Sequence, residues 1–144
     1  MAKVDYFLKL EGIDGESVDK EFARWIDITS WSWGETQTGT IGGGGGGGAG
    51  KVQLQDFHFT AQFSKASPKL FLSCATGQHI KEATLMGRSD RTGVFLKIKL
   101  TDVLISSYQT GAGVENMPSD QTSLNFVKID LNDEAFDSRT NTGA

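Results

Sequence analysis

Apolar residues in this chain recur at every second position over short stretches that end in glycine or polar turns, the period of strands with one buried face. Tyr6, Leu8 and Leu10 share one face of a first strand. After the loop GIDGES a second strand is predicted over 26–33 and a third over 52–63. The same period places four more at 80–87, 94–100, 102–108 and 121–131. Seven strands in one small domain predict a mainly β fold, a compact barrel or a two-sheet sandwich.

One helix interrupts the series, over about residues 68–76. Ser67 is placed to cap it, Pro68 to open it and Gly77 to end it. Leu70, Phe71 and Cys74 fall on one face at spacings of three and four, a face that would cover an opening or edge of the β core.

In three strands the apolar residues change phase partway along. Ile26 and Ile28 give way to Trp31 and Trp33, Val52 and Leu54 to Phe57, Phe59 and Phe63, and Leu124 and Phe126 to Val127, Ile129 and Leu131. A bulge at each switch would restore the inward face and bend the strand as a small barrel requires. Equally, half of each strand could face the core and half a neighbouring subunit, which predicts an oligomer.

A chain of 144 residues, 38% hydrophobic, can build one core without a metal or disulfide staple. Its 14 basic and 18 acidic residues give a net charge of -4, which repels a phosphate backbone, so nucleic acid is not an expected partner. Cys74 is the single cysteine and has no internal partner. MAKVDYFLKLEG has no secretory signal pattern and no segment reaches membrane-spanning length. Synthesis in the cytoplasm without membrane insertion is expected, with any export independent of a cleaved signal.

Candidate chemistry is sparse. Gly45, Gly50 and Lys51 fit G-x-x-x-x-G-K, but Val52 stands where a phosphate loop needs a hydroxyl, and a strand follows instead of a helix. The run of glycines reads as a long loop between strands. His58, His79 and Cys74 lack zinc-site spacing, His58 lying outward in its strand and His79 in a turn after the helix. There is no G-x-S-x-G elbow, and Asp102, Asp130, Asp133 and Glu134 fall at strand ends or in the tail. Cys74 reads as a small core residue rather than a nucleophile. Lys97 and Lys99 alternate with apolar residues and form a polar outer face. No catalytic, metal or cofactor site is predicted.

All three tryptophans lie in WIDITSWSWG, residues 25–34. Trp31 and Trp33 share one face of a strand, each with ~150–250 Å² to bury, and Ser32 between them points the other way. They either hold a core wall or form an exposed platform for sugar rings, the mark of a carbohydrate-binding module. Protection from an aqueous fluorescence quencher separates the two.

DYFLKLEGIDGES (5–17), IDITSWSWG (26–34), GGGGGAGKVQLQDFHFT (44–60), SPKLFLSCATGQHIKEATL (67–85) and LNFVKIDL (124–131) together resemble the Hcp family, the haemolysin-coregulated tube proteins of type VI secretion. The resemblance implies a phage tail-tube-like barrel over 1–131 with one flanking helix. It implies homohexameric rings that stack into an expelled inner tube, carry small secreted effectors in the lumen, and meet spike and contractile sheath proteins. Such a tube is a structural protein and not an enzyme, and it leaves the cell through the type VI apparatus. Carried onto this chain, Ser32 would line the lumen and Trp31 and Trp33 the wall behind it. The loop 36–50, with Thr36, Gly42, Gly43, Gly44, Gly45, Gly46, Gly47, Gly48 and Gly50, would form the contact between rings or neighbours, where bare backbone lies close to another surface. The family carries one more C-terminal strand; here 132–144 reads as a flexible polar tail without apolar alternation, so the strand is expected to be missing.

Overall fold

The computed structural model describes residues 2–37, 39, 52–140 and the backbone of 142–143. In chain order its elements are β1 (Val4–Leu10), β2 (Ile26–Ile28), β3 (Ser30–Ser32), β4 (Glu35–Gln37), β5 (Val52–Leu54), β6 (Phe57–Gln62), α1 (Ser67–Thr76), β7 (His79–Ser89), β8 (Gly93–Gly111), β9 (Ser119–Leu131), β10 (Glu134–Asp137) and β11 (Thr142–Gly143).

β1, β7, β8 and β9 pair antiparallel in that order, and β6 adds to the far side of β9. A single segment closes the sheet by changing partner: β2 pairs with β1, and β3 pairs with β6. Thr29 makes the step, its N–H and its hydroxyl both donating to Thr60 O at 2.9 Å. The result is a barrel-like wall whose seam is sealed by backbone pairing. Phe57, Phe59, Leu85, Leu100, Ile105 and Leu124 fill its interior.

The phase changes have causes other than a bulge at each switch. At Thr29 the strand changes partner. Between β5 and β6 the chain changes sheet, because among the described residues β5 pairs only with β4, in a separate two-stranded sheet. The third switch is shared by two paired strands: inward residues pass from Ile98 and Leu100 to Val103 and Ile105 in β8, and from Ile129 to Phe126 and Leu124 in β9. Asp102 sits at that point with φ 55, a left-handed residue that turns both strands over together. It is thus mid-strand and not at a strand end, and the two strands expected at 94–100 and 102–108 are one. Register shifts do occur, between Gly87 and Arg88 and between Ile105 and Ser107.

The helix cap also lies one residue earlier than expected. Ala66 is the N-cap and makes no side-chain bond, while Ser67 is the first helical residue and turns its hydroxyl into the core to Asp120. Gly77 ends the helix with φ 66, and His79 opens β7. Leu70 and Ser73 are buried and Cys74 half-buried, but Phe71 faces outward at 58% exposure.

The connection after β1 is tied down by Arg88. Its guanidinium donates to Asp19 at 2.6 and 2.9 Å and to Glu21 at 3.5 Å, and lies over the rings of Phe7 and Phe22 at 5.2 and 5.4 Å. In the same connection Gly15 leaves no room for a side chain: a Cβ there would stand 2.5 Å from Trp25 O.

After Leu131 the chain turns back through Asn132 and Asp133, both at positive φ, and β10 pairs with β9 from Glu134↔Leu131 to Asp137↔Lys128. A strand therefore stands where a tail without one was expected, and β11 pairs with it. Phe136 is the one large apolar residue it needs, packed against the core.

Candidate functional site

The wall made by β3, β6, β9 and the distal half of β8 has two unlike faces. Along β6, Phe57, Phe59 and Ala61 are buried while His58 and Gln62 are exposed. Along β9, Asp120, Thr122 and Leu124 point in, and Ser119, Gln121 and Asn125 point out. The register aligns the outward residues into rows. Ser32 lies beside His58, His58 beside Ser123, which is itself buried, and Ser123 beside Ser107; Ser30 lies beside Thr60, Thr60 beside Gln121 and Gln121 beside Gln109.

The bulge in β8 contributes to this face directly. By leaving Ser106 unpaired it brings two consecutive serines to one side, and the hydroxyls of Ser106 and Ser107 both bond with that of Ser123. Ser106 also donates to Asp56 at 2.6 Å, and Asn125 donates to the other oxygen of the same carboxylate at 3.0 Å.

Behind the face is a polar anchor inside the barrel. Asp120, 1% exposed, accepts bonds from Ser67 of α1 and from the Tyr108 hydroxyl at 3.0 Å. Burial, and then the neighbouring carboxylate, hold the Tyr108 phenol above its usual range. Helix, β8 and β9 are thereby fastened at one point.

The tryptophans lie behind the same wall. Trp31 is half-buried, its ring stacked on Phe57 at 6.0 Å with 9° between planes and edge-on to Tyr6 at 5.8 Å. Trp33 follows β3, half-buried, and tilts against Phe126 at 6.3 Å. Trp25 is separate, edge-on to Phe22 at 4.9 Å. One face of the Trp31 ring is covered by Phe57, which makes the residue part of the core packing.

Ser32 is exposed, on the opposite side from Trp31. Thr36 is exposed in β4, beside Gln53. Gly42, Gly43, Gly44, Gly45, Gly46, Gly47, Gly48 and Gly50 lie outside the described residues. Sequence reasoning singled out none of Gln109, Gln121, Ser107 or Ser123 for this face. Alternation alone could have marked Gln121 and Gln109 as outward, but only the register brings them beside Ser32 and His58.

A family model described as the type VI secretion system effector Hcp matches residues 7–132. The chain belongs to the Hcp family. Protein hcp1 of Pseudomonas aeruginosa is 46% identical over 132 residues, covering 89% of this chain and 82% of that protein. The crystal structure of Hcp1 from Salmonella typhimurium superposes with a TM-score of 0.85 at 29% identity over the whole of both chains. A type VI secretion system effector from Yersinia pestis superposes with a TM-score of 0.76 at 31% identity over 88% of each. This Hcp chain is accordingly a tube protein of type VI secretion, in a family of structural secretion proteins. No helix among the described residues is long and apolar enough to cross a membrane.

Proposed function

We propose that six copies close into a ring with the face of β3, β6, β9 and distal β8 turned to the lumen, and that the rings stack into the tube. In that arrangement Ser32 meets small secreted effectors, Trp31 and Trp33 stiffen the wall behind it, and the hairpin of β4 and β5 with its glycine-rich loop reaches a neighbouring or stacked ring. Spike and contractile sheath proteins are the remaining partners. The chain is made in the cytoplasm and leaves through the type VI apparatus. Its work is geometric: closed symmetry repeats one polar face around a pore, and no catalysis is required.

The observation that carries this reading is the continuous polar face on one wall of an Hcp barrel, backed by a core packed to support it. Light scattering after size exclusion tests the assembly, with an expected mass six times the 15.6 kDa chain. Ser32→Gln should keep that mass and lose effector retention in a pull-down. A monomer, or a mutant ring that retains effectors unchanged, would overturn the corresponding half of the proposal.

A further inference from the structure

The face is polar and carries one carboxylate at its margin, Asp56, both of whose oxygens are already hydrogen-bonded by Ser106 and Asn125. The stretches 30–32, 57–62, 103–111 and 119–125 contain no lysine, arginine or glutamate, and their single aspartate, Asp120, is buried inward. Elsewhere the outer surface mixes signs, as where Lys99 meets Glu82 at 3.6 Å.

Many polar groups of the face are already paired. Ser30 bonds Thr60 at 2.5 Å, Ser106 and Ser107 bond Ser123, and the Asp56 carboxylate is taken by Ser106 and Asn125. The side chains of Ser32, His58, Gln121 and Gln109 have no such partner among the described residues. One comes from each of four adjacent strands, β3, β6, β9 and β8. With strands ~4.8 Å apart they span ~15 Å across the wall.

We infer that these four side chains read a neutral, hydrogen-bonding protein surface, rich in exposed amides and hydroxyls, and that charge has no part in holding it. The inference rests on the lumen assignment above and names the chemistry of what lies there. A serine hydroxyl and a carboxamide each carry both a donor and an acceptor, so they match such a surface in either sense, and the imidazole adds a ring N–H donor. A basic cargo would call for free carboxylates and an acidic one for lysine or arginine; the stretches have no lysine or arginine, Asp120 is buried, and the neighbouring Asp56 is already bonded by Ser106 and Asn125.

The test uses the full chain and three fluorescein-labelled peptides of equal length: one of serine, asparagine and glutamine, one in which lysine replaces part of these, and one in which glutamate does. Anisotropy is followed at about 0.05 and about 0.5 M salt. The neutral peptide should bind tightest and change less than about twofold with salt. The double variant Gln109→Ala, Gln121→Ala should bind it about tenfold more weakly. Tighter binding of either charged peptide, a large salt effect, a double variant equal to the parent, or no binding of the neutral peptide each overturns the inference. Mass measured on the same samples keeps the two proposals apart. A ring without neutral preference sinks this one alone, and a monomer that keeps the preference sinks the ring alone.

Discussion

Replacing Phe57 with alanine tests whether the tryptophan-rich stretch is a load borne by the core. Phe57 is 0% exposed, stacked on Trp31 and 6.5 Å from Phe59. Its ring removes ~150 Å² of apolar surface from water, worth about 4 kcal/mol at ~25 cal/mol per Å². Part of that survives in the alanine, but the cavity and the lost stacking add to the cost, which places the expected loss at about 3–5 kcal/mol. For a domain stable by roughly 5–15 kcal/mol that is a third or more of the total. The assay is urea unfolding followed by tryptophan fluorescence, at two protein concentrations so that any assembly term is visible. Trp31 should also shift to longer wavelength in the folded variant, because its covered face opens. Phe57→Leu serves as control and should lose less. A loss for Phe57→Ala below about 1 kcal/mol with unshifted emission would refute the packing argument.

Asp19 is held well below the carboxylate range, chiefly by the Arg88 bonds and then by the N–H groups of Phe22 and Glu21. A carboxylate lowered by folding stabilises above its unfolded value near ~4, and that share is lost as pH falls below it. The urea midpoint should therefore drop on acidification from pH ~5, and Asp19→Asn should show a shallower drop; equal slopes would remove Asp19 from the acid limb. Of the two tyrosines, Tyr108 has its phenol raised, so its unfolded form ionises first and stability should fall as pH rises past ~10, an effect absent in Tyr108→Phe. Asp120→Ala strands the Ser67 and Tyr108 hydroxyls and should cost about 2–4 kcal/mol in urea unfolding, whereas a loss near zero would mean those bonds are replaced by water. Gly15→Ala forces a methyl against the backbone of Trp25 and Ile26, and its thermal midpoint should fall by several degrees.

The strand faces were legible in the sequence because burial alternates with a period of two wherever one wall faces the core, and the order of the family motifs fixed the fold class. What the sequence did not disclose was pairing. The switch at Thr29 shows as a phase change, but only the register reveals that the chain trades β1 for β6 there. Asp102 looked like the gap between two strands because a polar residue breaks the alternation; its left-handed backbone instead flips β8 and β9 together. β10 escaped notice because four residues with one aromatic, Phe136, give no alternation to count. The helix cap slipped by one for a chemical reason. Ser67 has the side chain a cap needs, but a buried carboxylate competes for it.

The same limit applies to the candidate site, and it bears on what the tryptophans are for. Trp31, Ser32 and Trp33 are neighbours in sequence, so the opposition of wall and outer face could be read from three residues. His58, Gln121 and Gln109 reach that face from three other strands, at sequence separations that periodicity cannot bridge. Placing them depends on where β6 meets β9 and where β8 bulges. A face assembled this way tolerates little slippage, since a shift of one residue would exchange His58 and Gln121 for the buried Phe59 and Thr122. The stacked aromatics and the Asp120 anchor therefore do more than stabilise the barrel. They hold the register on which every outward residue of the face depends.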